Sequence, residues 1–407
     1  MRDTPASPSF WRSPLRGPWL TSVLGLVLLV GITVLFVTGL VSYAAYNPGL
    51  APVNDKTPDK GILGFYLFAW PTDPHWLYRL TQGVHVTLGV TLIPVLLAKL
   101  WSVVPKLFAL PPARSLTHAL ERVSLLLLVG GGLFEFVTGV LNVQLDYLFP
   151  GSFYPLHFYG AWVFFASFVA HAVLKVPAAV RNVRRAREEG ELVAPRPDPP
   201  TVSRRGALWF VGGGSLLLFG TTAGQSFDGP LRRTALLAPH GGADPGTGPN
   251  GFQINKTAAY AGIDRAETAE DAWRLVVVGR SGRTVRLSRT ELSQLSLHSS
   301  ALPIACVEGW STSDQWWRGV RLRDLAALVG HDGEPPDVLV ESLQRRGAFR
   351  HAALRANQVA DPRSLLALYV NGEALSADHG YPARVIVPAA PGVLNTKWVA
   401  RLTFGKV

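Results

Sequence analysis

The only cysteine of the chain, Cys306, is the residue whose chemistry stands out first. It lies in ALPIACVEGWSTSDQWWRGVRL, residues 301–322, among several tryptophans. One thiol cannot form an intrachain disulfide, and without a second thiol it cannot build a cysteine zinc site. A lone cysteine is most often a small buried hydrophobe, but its thiolate is also a soft, strongly donating metal ligand. Glu308, two residues further on, is either a carrier of protons for such a site or a hydrogen-bonded loop carboxylate.

Four histidines in apolar stretches form a second group. An ionisable side chain within a membrane span is costly, so each is a functional candidate. His157 and His171 are fourteen residues apart, which on a helix places them ~40° apart around the axis and ~21 Å apart along it. We expect His85 at the depth of His157 and His118 at the depth of His171. Imidazoles from two facing helices can bind both faces of a haem iron, whereas interhelical hydrogen bonding is the alternative for any one histidine alone.

His85, His157 and His171 lie in apolar runs that are long enough to cross a bilayer, which takes ~20 helical residues, and His118 lies just before another such run. The chain has 407 residues, of which 48% are hydrophobic. The fifth run is short and rich in glycine, and it is the weakest of the set. The predicted spans are residues 20–46, 77–100, 123–148, 156–180 and 207–222.

Basic residues give the chain a formal net charge of +11, with 39 Lys plus Arg against 28 Asp plus Glu. Much of this excess lies in short segments between apolar runs, not on one folded domain, which is typical of a membrane protein and argues against a nucleic-acid partner. The positive-inside rule places the N-terminus in the cytoplasm and everything after the fifth span outside. We therefore expect a multi-pass protein of the cell (inner) membrane, in contact with membrane lipid.

A proline-rich stretch, APRPDPPT, interrupts the chain before the fifth span and is typical of a spacer. The pair Arg204 and Arg205 follows it. This pair is either a positive-inside anchor or the remnant of a twin-arginine signal, which exports domains already folded around a cofactor. The predicted organisation is a transmembrane helical domain over residues 1–185, a cytoplasmic linker with the fifth helix over 186–226, and an extracytoplasmic domain over 227–407.

The last domain has a different pattern, with short β-rich runs bounded by Gly, Pro or polar turns. Its runs WRLVVVG, TVRLS, DVLVESL and ARVIVPA, together with the helical LRDLAALVG, predict an α+β domain that is large enough to bury its own core. Because Cys306 follows the apolar ALPIA, we expect it where a strand opens into a loop.

The run ACVEGWS, followed by WWRGVRLRDLAALVG, resembles the molybdenum-cofactor domain of the sulfite oxidase family, in particular the branch of the periplasmic methionine sulfoxide reductases. The resemblance implies that Cys306 is the one protein ligand to molybdenum. The segments NGFQINKT, VESL, HGYPARVIVP and NTKW extend it, although His379 replaces an asparagine of that branch. The residues implied to contact the molybdopterin are Asn250, Gln253, Ser342, His379, Arg384, Asn395, Thr396 and Lys397.

The membrane part, roughly residues 15–185, resembles the cytochrome b subunits of membrane formate dehydrogenases and hydrogenases. In that family the fourth helix carries two haem-ligating histidines at the same fourteen-residue spacing. The first span of this chain has no histidine, where the family takes a ligand for its inner haem. We therefore predict one haem b between His85 and His157, with His118 and His171 as the pair for a second haem.

The predicted fold is an all-α transmembrane bundle of four helices plus a fifth anchor helix, followed by an α+β sulfite-oxidase-like molybdopterin domain. The two resemblances together imply a molybdenum oxidoreductase that exchanges electrons with the quinone pool through haem b and transfers an oxygen atom on a small-molecule substrate. Reduction of a sulfoxide-type substrate is favoured. Oxidation of sulfite or a similar donor, with or without a periplasmic redox partner, and a membrane-anchored binding domain without redox chemistry are the alternatives.

Overall fold

The structure of the protein is a computed structural model. It describes residues 11–53, 68–105, 115–143, 153–187, 189, 193, 202–227, 229–239 and 248–405. The chain forms two compact units. The first consists of Met1–Val37, Thr87–Leu141 and Leu156–Gly220, and the second of Thr38–Val86, Asn142–Pro155 and Thr221–Val407.

Five long helices correspond to the five predicted spans, and each contains a stretch that is long and apolar enough to cross a membrane. Residues 144–148, the end of the third predicted span, lie outside the described residues. Two of the helices contain an internal proline, Pro94 and Pro177, which membrane helices tolerate because neighbouring groups satisfy the freed backbone. The helices are α1 (Pro18–Ala44), α2 (Leu77–Val103), α3 (Leu116–Asn142), α4 (Tyr154–Arg184) and α5 (Arg204–Gly220).

The first unit has an apolar core that begins with a stripe along α1. Leucines or isoleucine recur every four residues in this stripe, so they share one face of the helix. A side chain at Gly31 would overlap Leu92 of α2, which indicates that the two helices approach closely there. The buried members of this core are Leu20, Leu24, Leu28, Ile32, Leu92, Val95, Leu96, Phe164 and Phe168.

The second unit is built on two five-stranded sheets. The first sheet has the order β2-β1-β10-β5-β6, in which only β1 and β10 are parallel. The second has the order β3-β4-β7-β8, with β9 also paired to β7. The strands are β1 (Leu275–Val278), β2 (Thr284–Leu287), β3 (His298–Leu302), β4 (Gln315–Arg321), β5 (Val338–Ser342), β6 (His351–Leu354), β7 (Leu365–Val370), β8 (Glu373–Ala374), β9 (Arg384–Ile386) and β10 (Val399–Phe404).

Short helices precede or connect these strands, and they confirm the predicted α+β character of the domain. The runs predicted as strands contain β1, β2, β5 and β9, and the run LRDLAALVG contains a helix. Ser288 caps one of the short helices in a capping box with Glu291. The short helices are α6 (Ala258–Ala261), α7 (Arg265–Thr268), α8 (Arg289–Gln294), α9 (Leu322–Leu328) and α10 (Ala356–Ala360).

Residues from the first 80 positions are part of the second unit. Tyr46, Trp70 and Tyr78 are buried in one cluster with Ala305, the residue before Cys306. Polar contacts fix the same segment, because the Asn47 side-chain amide donates to the Ala353 carbonyl at 3.1 Å and to the Gln358 side-chain oxygen at 2.8 Å. The Trp70 indole nitrogen donates to the Ala389 carbonyl at 2.7 Å. The ends of α1 and α2 therefore belong to the packing of the sheet domain.

Candidate functional site

Cys306 begins a tight turn after β3, as its sequence context predicts. The Cys306 amide donates to the Trp310 carbonyl at 2.8 Å, and the Gly309 amide donates to the Cys306 carbonyl at 3.1 Å. Gly309 has a φ of 91°, a left-handed conformation that glycine adopts without steric cost. We call residues 306–310 the cysteine turn. It holds the thiol in a buried position, with Cys306 only 4% exposed.

The Glu308 carboxylate lies inside the cysteine turn. Its Oε2 accepts hydrogen bonds from the Cys306 thiol at 3.3 Å and from the Trp310 indole nitrogen at 2.9 Å. Burial raises the pKa of the Cys306 thiol well above its ordinary value, and the nearby Glu308 charge raises it further. The thiol is therefore protonated at neutral pH unless a metal cation takes the place of the proton, since a coordinating thiol must be deprotonated.

Two of the three tryptophans around the turn are core residues. Trp310 and Trp317 are fully buried, whereas Trp316 is 55% exposed. The Trp317 indole nitrogen donates to the Leu302 carbonyl at 2.9 Å, and its ring lies 5.4 Å from the Arg384 guanidinium carbon. Trp317 thus connects the strand before Cys306 to a buried cation.

A second backbone segment, residues 392–397, lies against the cysteine turn. The Gly392 amide donates to the Ala305 carbonyl at 2.7 Å. A Cβ atom at Gly392 would lie only 3.1 Å from that carbonyl oxygen and 3.6 Å from the Cys306 Cα. The Asn395 amide in turn donates to the Gly392 carbonyl at 3.2 Å. This close approach places Gly392 beside the Cys306 backbone, and the hydrogen bond from the Asn395 amide links Gly392 to the first residue of the NTKW segment.

His379, Arg384 and Lys397 converge around Gly380. This glycine has a φ of 111°, and a Cβ atom there would lie 3.1 Å from the Lys397 Cβ and 3.3 Å from the Arg384 Cβ. Arg384 donates to the His379 carbonyl at 3.3 Å. The Ser342 hydroxyl donates to the Lys397 carbonyl at 2.7 Å. Predicted site residues from three separate segments therefore meet here.

The buried cations of this cluster are electrostatically costly. Burial lowers the pKa of Arg384 to about 9. Burial, followed by the charges of Arg384 and Lys256, lowers the pKa of Lys397 well below its ordinary value. Burial, together with the positive charges of Arg384 and Lys397, lowers the pKa of His379 to about 3. An anionic ligand would offset this cost, because it would pair with the buried positive charge.

Several donors of the cluster have no hydrogen-bond partner among the described residues. They are the Arg384 Nε, the Asn395 Nδ2 and the Thr396 hydroxyl, and all three atoms are buried. Buried polar groups are nearly always hydrogen-bonded, so three such groups together indicate a ligand with several acceptors. A phosphate-bearing pterin fits these donors and cations, and Cys306 fits the metal that such a pterin holds.

Asn250 and Gln253 contact the protein around this cluster. The Asn250 side chain accepts from the Ser376 amide at 3.1 Å and donates to the Ala374 carbonyl at 3.0 Å. These bonds hold the segment that leads to His379. Gln253 accepts a hydrogen bond from Arg232. A direct contact of Asn250 or Gln253 with a pterin stays a prediction.

Two basic residues near the site were missed by sequence reasoning. Arg232 donates to the Ser311 carbonyl at 2.6 Å, next to the cysteine turn. Lys256 donates to the Ala348 carbonyl at 2.9 Å, and its backbone carbonyl accepts from the Lys397 ammonium at 2.8 Å. Lys256 stands in the NGFQINKT segment, so that segment could have pointed to it. No feature of the sequence distinguishes Arg232 from any other basic residue that follows a membrane span.

His85 and His157 have matching surroundings on their respective helices. The Thr38 hydroxyl lies 3.2 Å from the His85 Nδ1, and a Cβ atom at Gly39 would lie 3.0 Å from the His85 Cε1. In the other unit the Thr138 hydroxyl lies 3.0 Å from the His157 Nδ1, and the corresponding distance from Gly139 is 3.3 Å. The motif FVTG occurs at residues 36–39 and again at 136–139, a repeat that could have been found in the sequence.

Haem ligation by these histidines is not established by the structure and stays a prediction. Among the residues whose side chains the structure describes, no group of three or more His, Cys, Asp and Glu could hold a metal ion. His171 lies on α4 and His118 on α3, where the His118 side chain falls outside the description. The Glu135 carboxylate lies 3.2 Å from the His157 Nδ1. Metal-bound imidazoles commonly use their second nitrogen for such a carboxylate or hydroxyl partner.

Residues 261–407 match the model of the oxidoreductase molybdopterin binding domain. The chain is 32% identical to the mitochondrial sulfite oxidase of Rattus norvegicus over 158 residues, which are 33% of this chain and 29% of that protein. It is 31% identical over 134 residues to the uncharacterized oxidoreductase YuiH of Bacillus subtilis, covering 33% of this chain and 66% of YuiH. The chain thus spans less than two thirds of either relative.

Among solved structures, the sulfane dehydrogenase SoxCD from Paracoccus pantotrophus overlaps 33% of this chain and 39% of its own, at a TM-score of 0.30 and 24% identity. This likeness is too slight to bear on function. The match of residues 261–407, by contrast, contains Cys306 and the cluster of buried donors described above. Residues 261–407 are therefore similar to the oxidoreductase domains that bind molybdopterin, including that of mitochondrial sulfite oxidase.

Proposed function

We propose that the protein is a membrane-bound molybdenum oxidoreductase that transfers an oxygen atom on a small substrate outside the cytoplasm and exchanges the electrons with the quinone pool through haem b. The reduction of a sulfoxide-type substrate is the favoured direction. In that direction two electrons and two protons convert the substrate to its reduced form and water, and a quinol that becomes a quinone supplies both. When bound, the molybdenum cofactor supplies the oxygen-atom chemistry and haem b supplies the one-electron relay.

The observation that carries the proposal is the pairing of one buried thiol with a cluster of buried, unpaired donors. Cys306 would hold the metal, while Arg384, Thr396 and Lys397 would bind the anionic part of the cofactor. The thiol releases its proton when it binds a metal. The Glu308 carboxylate, 3.3 Å from the sulfur, can receive that proton, and the same carboxylate is the proposed route for protons that the reaction consumes.

The matched hydroxyl contacts support His85 and His157 as haem ligands. A threonine oxygen beside the Nδ1 of each ring would fix its orientation and direct the Nε2 toward the iron, and each neighbouring glycine would leave room for the ring. We retain the sequence prediction that these two histidines bind one haem b, with His118 and His171 as the pair for a second.

The five apolar helices support a membrane location. From the basic residues between the spans we propose that the protein spans the inner membrane, with its N-terminus in the cytoplasm and its molybdopterin domain outside the cytoplasm. On this orientation Arg204 and Arg205, the first two residues of α5, lie on the cytoplasmic side. The domain that follows would then reach its substrate, and any periplasmic redox partner, directly.

Oxidation of sulfite or a related donor is the second candidate. It is favoured by the similarity to mitochondrial sulfite oxidase, at 32% identity over the matched 158 residues. In that direction water supplies the oxygen atom, and two electrons and two protons leave the site. A binding domain without redox chemistry is the remaining alternative, and the match to an oxidoreductase family disfavours it.

Metal analysis and a visible spectrum of the purified full-length protein test the proposal first. We expect molybdenum in a one-to-one ratio with the chain and the spectrum of a low-spin haem b. Reduced protein is then mixed with a sulfoxide, and oxidised protein with sulfite, and the haem bands are followed in time. Reoxidation by the sulfoxide supports the favoured direction, whereas reduction by sulfite supports the second. A colourless protein without molybdenum would falsify both.

A further inference from the structure

One face of α2 lies directly on the cysteine turn, within the second unit. Positions 79, 82, 83 and 86 share that face because they are spaced by three or four residues. The Gln82 side-chain amide donates a hydrogen bond to the carbonyl of Val307, the residue that follows Cys306. A membrane-helix side chain thus contacts the backbone beside the proposed metal ligand.

Two glycines permit this close approach. A Cβ atom at Gly309 would overlap the Val86 side chain, at 2.6 Å from its Cβ. A Cβ atom at Gly83 would lie 2.9 Å from the Ser226 hydroxyl, which itself donates to the Gly309 carbonyl at 3.0 Å. Gly83 and Val86 are buried. The contact between α2 and the cysteine turn is therefore close-packed, and any shift of the helix would disturb it.

Buried aromatic residues flank the same contact. Tyr46 and Tyr78, both buried, place their hydroxyl oxygens 3.2 Å apart. They pack in one cluster with Ala305, and Val307 is partly buried against that cluster. This side of the cysteine turn is therefore dry and its packing is fixed.

His85 is three residues after Gln82, so less than one helical turn separates them. We propose that α2 is the electron route between the haem that His85 binds and the molybdenum that Cys306 binds, an inference that rests on the function proposed above. The route runs from His85 along the backbone to Gln82, across the Gln82 to Val307 hydrogen bond, and through one peptide unit to Cys306. With both groups bound, each electron that leaves the haem would arrive at the molybdenum, so the two electrons of one quinol would make two such passages.

The hydrogen bond matters because electronic coupling decays less through bonded atoms than across an unbonded gap. Gln82 supplies the one non-covalent step in this route. A side chain of similar length without an N–H group would keep the packing but remove the bond. The structure therefore assigns Gln82 a positioning role for electron transfer in addition to its part in helix packing.

The test compares Gln82→Met with the wild-type full-length protein, reduced and then mixed with the oxidised substrate. We expect slower haem reoxidation in Gln82→Met, with the haem spectrum and molybdenum content of the wild type. The ratio of quinol-linked turnover to turnover with an artificial donor should fall as well. Thr81→Val is the matched control, because it removes the Ser42 to Thr81 hydrogen bond of 3.2 Å from the neighbouring position, and its ratio should equal that of the wild type.

Haem reoxidation in Gln82→Met as fast as in the wild type overturns the route while leaving the proposed function intact. A fall of the same size in Thr81→Val also overturns it, because the effect would then come from general loosening of α2. If Gln82→Met does not accumulate, Gln82→Leu is measured in the same way. A wild-type protein without haem or molybdenum instead overturns the proposed function itself, so the two failures are distinguishable.

Discussion

The carboxylate of Glu308 lies 3.3 Å from the sulfur of Cys306, and both side chains are buried. The thiol and the carboxylate therefore form one hydrogen-bonded pair. Removing either partner should affect a different step, because the sulfur would bind the metal and the carboxylate would handle protons. Substitutions at these two positions separate the roles.

Cys306→Ser should abolish turnover, because a hydroxyl replaces the soft thiolate that would bind molybdenum. The haem spectrum should be unchanged, since the substitution does not touch the proposed haem ligands. Turnover with a sulfoxide and with sulfite is measured together with the visible spectrum. Undiminished activity with either substrate would contradict the assignment of Cys306 as the metal ligand.

Glu308→Gln should lower turnover by roughly 10²- to 10⁴-fold, the usual contribution of a positioned general acid or base. The amide oxygen can still accept from the Trp310 indole, so molybdenum should be retained. Turnover per bound molybdenum is the measurement. Glu373→Gln, at an exposed carboxylate on β8, is the control and should behave as the wild type. Equal turnover in both variants would make Glu308 a structural carboxylate only.

Arg384→Gln should reduce the amount of molybdopterin that is purified with the protein. Burial lowers the pKa of Arg384 to about 9, so the guanidinium is held at a cost that an anion would offset. The fold should survive, since the substitution removes a buried charge. The pterin content and the thermal unfolding midpoint are measured, with the exposed Arg318→Gln as control. Unchanged pterin content in Arg384→Gln would exclude it from the cofactor site.

His379 should make the molybdenum-free protein less stable in acid. Its folded pKa is lowered to about 3, while the unfolded histidine binds a proton below ~6.5. Between these values the unfolded state holds more protons, so the free energy of unfolding should fall by up to ~1.4 kcal/mol for each pH unit of acidification. Above pH ~6.5 the histidine is neutral in both the folded and the unfolded state, so it no longer lowers the free energy of unfolding.

Urea unfolding of the sheet domain within the full-length protein, at pH 7 and pH 5, measures this effect. His379→Asn should show a smaller change in unfolding midpoint between the two pH values than the wild type, because the titrating group is absent. Identical changes in the two proteins would mean that His379 does not titrate in this window.

His85→Ala and His157→Ala should each leave the haem iron one ligand short, so the low-spin spectrum should be lost and quinol-linked turnover should stop. An artificial donor that reaches the molybdenum domain should still support turnover, because Cys306 is untouched. Thr138→Val should retain the haem but alter its spectrum or potential, since the hydroxyl beside the His157 Nδ1 is lost. Normal low-spin spectra in both alanine variants would shift the assignment to His118 and His171.

The helices and several strands could be predicted because their patterns are local. Hydropathy alone located the long helices, and runs such as TVRLS located strands that now pair as β1 and β2. The candidate site could be predicted only through resemblance, since Cys306, Arg384 and Lys397 are far apart in the sequence and no periodicity joins them. Their convergence depends on positive-φ turns at Gly309 and Gly380, which composition does not reveal.

The contacts of Asn47 with Gln358 and of Gln82 with Val307 could not be predicted. They join polar residues that any loop or helix surface can carry, across more than 200 positions of sequence. The FVTG repeat, by contrast, is visible in the sequence. Only the structure shows that the threonine of each copy lies beside a histidine.

The inclusion of Thr38–Val86 in the second unit has a practical consequence for dissecting this protein. A truncated fragment that begins after α5 would keep both sheets but lose Tyr46, Trp70 and Tyr78. It would then present to water the apolar surface around Ala305 and Val393 that these aromatic rings cover. Exposed patches of this kind promote aggregation. A soluble version would need either the missing segment, joined to the fragment by a linker, or polar substitutions on that surface. The membrane part therefore cannot be deleted without affecting the sheet domain.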